Sequence, residues 1–491
     1  MRYKIFPAIG IARLGQDDDF FVAPERPGFG PTEAATPGTS VTRFKNAART
    51  RIRKQAARFH LFESEDGVRW QPAQLPSGAK IEWSVALINK KSAVRRPAFP
   101  PVSHERPHVP AENRTLLIDG GIRTIAGPNR TSAPLVGTFT ATGPNGTAYS
   151  TSVMLGELRT DADGRLLVLG GSGHSSAPPG TALGPGYYVN PNWHDDVADG
   201  PINATVQLPN AASQIAEGGA WIIVAPPDFA PEIRGVVTLY DVIRQVGVDH
   251  FGLPVPDKPS FDEHIAPLIR RTSQLRWVHE DATWQDPRLS NVRLRSRASE
   301  DQPLRDQVRT LIVNIKEIFD GHTEPHGPPW ELREFQKGML GSWVSGQFDD
   351  TPADAMGGVL TASGLTEAAL ESAVGQGFCP GIEAGIIVQD PTLYSQPFDY
   401  RVDQQSVQAG DLTALMAQPW QADFLKCHTE WWPTQRPDIA PQPDGSTEPW
   451  VRGVQTHLDL VKHLSQLGFV VRKGESEVFV EAERDPEFAP P

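Results

Sequence analysis

The chain has 491 residues, 39% of them hydrophobic and 21% charged, with a formal net charge of −13. This is globular composition at a length beyond one ordinary core, so two or three domains are expected. The negative balance shows only weak local segregation, and it opposes binding to nucleic acid or to anionic membrane surfaces.

The opening residues, Met1-Arg-Tyr-Lys-Ile-Phe-Pro7, hold a short apolar stretch broken by proline, which is not the pattern of a signal peptide. No window holds about 18 consecutive apolar residues, so no membrane helix is expected. A cytoplasmic location follows as the expectation. With 44 glycines and 46 prolines, the chain should be rich in turns and long connections. Arg43, Lys45, Arg49, Arg51, Arg53 and Lys54 form a basic run that reads as a solvated face. Ile81, Trp83, Val85 and Leu87 alternate with polar or small residues, the period of a half-buried strand. Thr138–Thr142, Arg165–Gly170 and Ala220–Val224 read as further strands, separated by turn-formers such as Gly143-Pro-Asn-Gly146 and Asp161-Ala-Asp-Gly164. Residues 1–250 are therefore expected to form a β-rich domain, sandwich-like or a mixed sheet.

A boundary is expected at residues 250–260, where Pro254, Pro256 and Pro259 make a stiff connector. Beyond it, Leu304, Val308, Leu311, Ile312, Ile315 and Ile318 recur at helical spacing. Val454, Leu458, Val461 and Leu464 predict a last helix, with Gly468 to end it and a strand from Phe469. Pro441–Thr447 reads as a polar loop, and the tail from Glu481 as frayed. Residues 251–491 are thus expected to be a mixed, more helical domain, and the whole chain α+β.

Both cysteines, Cys379 and Cys427, lie in the C-terminal quarter. Two are too few for a disulfide framework or a thiolate zinc site. Four of the 12 tryptophans fall between Trp420 and Trp450. A thiol, a nearby carboxylate and several indoles are the raw materials of a redox group made from the protein itself. The plainer reading is a Cys packed among core aromatics. Other patterns are weaker. His322 and His326 are four apart, but Pro325, Pro328 and Pro329 argue against a helix presenting both to zinc. Gly170-Gly-Ser-Gly-His174 lacks the spacing of a dinucleotide loop, so no external flavin or nicotinamide is indicated. The His and Ser of residues 173–176 lack a nucleophile elbow.

Five stretches, in chain order, carry a resemblance. They are Pro7-Ala-Ile-Gly-Ile-Ala-Arg13-Leu-Gly15 followed by Pro24-Glu25; Trp193-His194-Asp195-Asp196-Val-Ala-Asp199-Gly200-Pro201; Ala220-Trp-Ile-Ile-Val-Ala-Pro-Pro227-Asp228-Phe229-Ala-Pro231; Cys379-Pro-Gly-Ile-Glu383-Ala-Gly385; and Ala422-Asp423-Phe424-Leu-Lys-Cys427, running through Trp431-Trp432-Pro433 to Trp450-Val-Arg452-Gly453. Together they resemble the cysteine-tryptophylquinone-dependent amino-acid oxidases, the family of lysine ε-oxidase and glycine oxidase. The last two stretches are the specific ones.

The resemblance implies a cofactor, cysteine tryptophylquinone, formed from Cys427 as the sulfur donor and Trp450 as the quinone-bearing indole, with Trp431 and Trp432 as competing indoles. It implies that Asp423 assists cofactor formation, which agrees with a carboxylate four residues from Cys427 on one helix face; the local alternative is a helix-end carboxylate. Cys379 matches a position lining the substrate cavity, and is otherwise a small buried filler. His194 stands where relatives carry Tyr or Phe, a departure that adds a group titrating near pH 6.5. Asp195, Asp196 and Asp199 fit no known calcium loop and read as a turn that orders the cavity wall. The implied reaction is oxidative deamination of a primary amine of an amino acid, with O2 as oxidant, releasing an aldehyde or oxo acid, ammonia and hydrogen peroxide. A separate flavoprotein for maturation and a homo-oligomeric assembly are implied too. The alternative is a homologue that keeps the scaffold without the mature quinone and acts in binding or other Trp/Cys-based oxidative chemistry.

Overall fold

The computed structural model describes residues 1–96, 108–184, 186, 189–315, 331–352, 360–375, 384–426, 433–474 and 476–488. The architecture is α+β, as expected: a large sheet built from the first half, with helices concentrated in the second. Among the described residues, one sheet takes 14 strands. Its main path runs Ile118–Ala126, Lys80–Asn89, Ala198–Gln207, Ala220–Ala225, Ile9–Arg13, Lys54–Ser64, Leu166–Gly170, Ala148–Thr160, Leu135–Thr142. The two ends of this path return against each other, giving a barrel-like closure. A Cβ on Gly137 would lie 2.7 Å from Ile118 Cγ2 and 2.8 Å from the Asp119 amide, so only glycine permits this approach of the end strands.

The strands expected from alternation are present. Trp83, Val85 and Leu87 of Lys80–Asn89 are buried, while the residues between them are partly exposed. The centre of the sheet is different. Ile9–Arg13 and Ala220–Ala225 pair in parallel, Ile9 opposite Trp221, and every residue of both is buried. Successive side chains point to opposite faces, so these two strands feed two cores. Ala12, Ile222 and Val224 belong to one core, with Trp420, Phe424 and Trp450. Ile9, Ile11, Trp221, Ile223 and Ala225 belong to the other, with the helical layer. Burial of both faces is the pattern of parallel strands that are covered on both sides.

The helix Leu239–Phe251 lies inside the half expected to be β-rich. Its sequence is dense in β-branched residues, but Thr238 and Asp241 form a reciprocal capping box, and Gly252 closes the helix in the left-handed conformation at φ 70°. Local capping therefore overrides strand propensity here. The expected boundary at 250–260 begins where this helix ends. The pattern starting at Leu304 forms the helix Gln302–Val313, with Val308 and Ile312 buried. The last helix is His457–His463, capped by Thr456 and Asp459. Pro441–Thr447 is the turn of a hairpin, since Ile439–Pro441 pairs with Thr447–Pro449. The tail is not frayed through residue 488. Phe479–Ala482 pairs with Phe469–Arg472, buried Glu481 accepts from Arg452 and Arg484, and the Asp485 amide donates to the Gln466 carbonyl at 2.9 Å. No helix among the described residues is long and apolar enough to cross a membrane.

Candidate functional site

Trp450 follows the second hairpin strand and has no exposed surface. Its indole N–H donates to the Gly468 carbonyl at 2.8 Å, and its amide donates to the Asp438 carbonyl at 3.0 Å. Arg484 donates to its own carbonyl. Phe229 lies 4.8 Å from the ring, centroid to centroid, and Phe424 lies 6.4 Å away. The indole is therefore fixed in position and orientation before any chemistry occurs.

Phe424 links Trp450 to the expected carboxylate. Asp423 opens the short helix Asp423–Lys426, and Phe424 is its second residue. Asp423 is only 1% exposed, and its backbone carbonyl accepts from the guanidinium of Arg436, itself buried. Cys427 is next in sequence after this helix. Cys427, Cys379, Trp431 and Trp432 lie outside the described residues, as do His322 and His326. Of the expected site residues, the structure thus shows Trp450 in one core with Phe424, the residue that follows Asp423.

His194 reaches the same region by another route. Its backbone pairs with Ser176 in both directions, its ring lies 4.5 Å from Phe139, and neither ring nitrogen has a hydrogen-bond partner among the described residues. Among the described residues its ring contact is with Phe139 and not with Trp450. Burial pushes its pKa down to about 4, well away from the 6.5 that its type alone implies. The neighbouring Asp195 joins this segment to the turn at Trp420. Its carboxylate accepts from Lys91 and from the Trp420 amide at 2.9 Å, while Asn89 donates to it at 3.1 Å. Trp420 in turn packs edge-on against Phe424 at 5.5 Å.

The three aspartates of this stretch face different partners. Asp196 accepts from the Gly173 amide at 2.7 Å, and burial, with Asp195 beside it, pushes its pKa up to about 7. Asp199 takes the Trp221 indole N–H at 2.9 Å and the Thr413 amide and hydroxyl at 2.9 and 2.7 Å. Each carboxylate ties a different loop down, and no three-residue metal-binding group occurs among the described residues. Sequence reasoning missed Lys91 and Asn89 and gave Arg436 no role. Lys91 and Asn89 are buried polar residues without a local motif, and the Asp195 carboxylate they hold lies more than a hundred positions away.

Comparison with known proteins shows the family and the fold. Residues 6–224 match the family model for the L-lysine epsilon oxidase N-terminal region, and residues 329–448 match that for the L-lysine epsilon oxidase C-terminal domain. The chain is 28% identical over 529 aligned positions to L-lysine 6-oxidase of Marinomonas mediterranea, covering 87% of this chain and 71% of that protein. The crystal structure of the L-Lys epsilon-oxidase from Marinomonas mediterranea superposes with a TM-score of 0.80 at 23% identity, covering 98% of this chain and 95% of that chain. The Schiff base intermediate of that enzyme with L-Lys gives the same values. At that identity the likeness is one of fold. The two matched regions together span most of the chain and hold His194, Cys379, Asp423 and Cys427. The chain belongs to the L-lysine epsilon oxidase family, a family of amino-acid oxidases.

Proposed function

We propose that this protein oxidatively deaminates a primary amine of an amino acid, using a cysteine tryptophylquinone made from its own Cys427 and Trp450. The overall balance is amine, O2 and water in; aldehyde or oxo acid, ammonia and hydrogen peroxide out. The observation that carries the reading is the meeting, through Phe424, of a fully buried Trp450 with the helix that begins at Asp423 and leads to Cys427. The residues present fit such a group. The indole is held by its N–H on Gly468, and the buried Asp423 directly precedes Phe424, which packs near that indole. When formed, the quinone supplies an electrophilic carbonyl and an electron sink, which no unmodified side chain offers.

The chain's own residues supply the rest. In this reading Asp423 takes a proton as the Cys427 sulfur joins the ring. Arg436 holds the backbone of that turn. Phe229 and Phe424 exclude water from the indole, which strengthens every electrostatic effect there. His194 stays neutral at physiological pH, because burial holds its pKa at about 4. The oxidant for cofactor formation is assigned to a separate flavoprotein working with O2.

Two oxygens gained and four hydrogens lost make the joined pair about 28 Da heavier than the plain residues. A tryptic map of active protein, produced together with its native neighbours, should show Cys427 and Trp450 in one linked species carrying that increment. Free, alkylatable Cys427 with unmodified Trp450 in active protein would sink the proposal. Protein produced without the flavoprotein should show the unmodified mass.

A further inference from the structure

The basic run from Arg43 to Lys54 is expected from sequence to be a solvated face, yet Lys45, Arg53 and Lys54 are buried. Arg53 pairs with Asp19 and with Glu33, each at 2.8 Å. Lys45 is different. It has no exposed surface, and among the described residues no carboxylate lies within ion-pair distance of its ammonium. Its Nζ donates instead to a backbone oxygen, the Leu467 carbonyl, at 2.6 Å.

An ammonium buried without a carboxylate is costly. Burial pushes the Lys45 pKa down to about 7, against the pull of Glu483. A methionine would fill the same length of space without that cost, but it would offer the Leu467 carbonyl no donor. The ammonium and the neutral amine both carry N–H groups, so the contact outlasts the titration.

The position of that carbonyl gives the contact a use. The next carbonyl along the chain, that of Gly468, receives the Trp450 indole N–H at 2.8 Å. The residue after it, Phe469, stacks on Phe44 with ring centroids 5.2 Å apart and planes 16° apart. Phe44 and Lys45 therefore grip the chain on both sides of the carbonyl that holds the indole. The grip is itself anchored, because the Glu483 carboxylate accepts from the Phe44 and Lys45 amides, both at 2.7 Å. Gly468 is closely packed from the other direction. A Cβ there would lie 2.4 Å from Glu481 Oε1 and 2.5 Å from Glu481 Cγ. Phe469 also packs 4.8 Å from Phe229, the ring that covers Trp450.

We propose that Lys45 is a positioning residue for the Trp450 indole, acting through the Leu467–Gly468 turn to aim the carbonyl that receives the indole N–H. This role rests on the reading that Trp450 carries the quinone, but its first test does not need the quinone to form.

That test is hydrogen exchange at the indole N–H groups of the full-length protein, labelled with isotopic tryptophan, produced without the flavoprotein and followed by NMR. Trp450→Phe assigns the Trp450 signal. Trp221 and Trp343 are internal references, fully buried in the other core, with their N–H groups donated at 2.9 Å to Asp199 and to the Leu294 carbonyl. Lys45→Met keeps the length and loses the donor. It should speed exchange at Trp450 about ten-fold or more, the factor for losing one hydrogen bond, and leave the two references unchanged. Lys45→Arg, which keeps donors, should lie closer to wild type than Lys45→Met. Should Lys45→Met fail to fold, Lys45→Gln, whose donor falls one atom short, decides by the same ratio. In protein matured with the flavoprotein, Lys45→Met should yield about ten-fold less of the linked Cys427–Trp450 species, as misplacement of a reacting group does. Unchanged exchange at Trp450, equal acceleration of all three indoles, or a wild-type yield of linked species in Lys45→Met would each overturn the proposal. A wild type that never links Cys427 to Trp450 would fail the quinone reading instead, and the exchange ratio would then decide the role of Lys45 alone.

Discussion

His194 shows how far burial moves a side chain from the behaviour its type implies. Read from sequence, it is a group titrating near pH 6.5 beside the reaction. In the structure its two nitrogens are enclosed without partners among the described residues, and its pKa falls to about 4. Two consequences follow. Across pH 5–9 its charge does not change, so His194→Phe should leave the shape of the rate–pH profile unaltered, even if the rate or substrate range shifts. Stability should respond instead. The folded pKa lies below the unfolded one, so the unfolded chain binds the extra proton first, and stability is lost as pH falls from about 6.5 toward 4. The full loss is on the order of 3 kcal/mol. Urea midpoints at pH 7 and pH 4.5 should therefore diverge less in His194→Phe than in wild type; equal divergence would show that His194 does not titrate this way. Asp423 is the converse case, a carboxylate whose place on the helix was legible from its spacing to Cys427. Asp423→Asn keeps the shape but cannot accept a proton. It should leave the thermal midpoint close to wild type while abolishing the visible absorbance of the quinone. A full quinone spectrum in Asp423→Asn would reduce Asp423 to a structural residue.

At the scale of elements, legibility tracked the solvent. Strands with one exposed face, such as Lys80–Asn89, announce themselves by alternation, because water selects the polar residues. Ile9–Arg13 offers no such contrast, since both its faces are buried. Its parallel pairing with Ala220–Ala225 joins segments some 210 positions apart, and nothing local encodes that choice. The helix Leu239–Phe251 was hidden for a different reason. Its signal is a capping box inside a β-branched run. The start of this helix is also held from outside. Thr238 bridges to Val374, and the Gly375 amide donates to the Val237 carbonyl at 3.2 Å. A Cβ at Gly375 would collide with the Thr238 carbonyl and come within 2.6 Å of the Leu239 amide. These are backbone atoms that cannot rotate away. Gly375→Ala should cost more than about 2 kcal/mol, as overpacking against a rigid neighbour does. The check is urea denaturation followed by tryptophan fluorescence; an unchanged midpoint would mean that the Val374–Gly375 strap is dispensable.

For the molecule as a whole, the division of labour follows the two faces of its central strands. One face holds the core that encloses Trp420, Phe424 and Trp450; the other supports the helical layer. The motif residues were readable because the pattern around Asp423, Cys427 and Trp450 is local. The scaffold that aims them was not, because Lys91 meets Asp195 and Asn89 meets the same carboxylate across roughly a hundred positions. Both cores run across the boundary expected at residues 250–260, which bears on whether the β-rich half can stand alone. Without residues 251–491, Ile9, Ile11, Trp221 and Ile223 would lose most of the partners on one face. Exposing four large apolar side chains forfeits on the order of 10 kcal/mol at about 1.5–3 kcal/mol each. That is comparable to the whole stability of a domain, about 5–15 kcal/mol. Residues 1–250 expressed alone should therefore aggregate or expose Trp221, read as red-shifted fluorescence with no cooperative thermal transition. Co-expression of 1–250 with 251–491 should restore a soluble complex. A monomeric 1–250 fragment with a sharp unfolding transition would show instead that the sheet buries its second face without the helices.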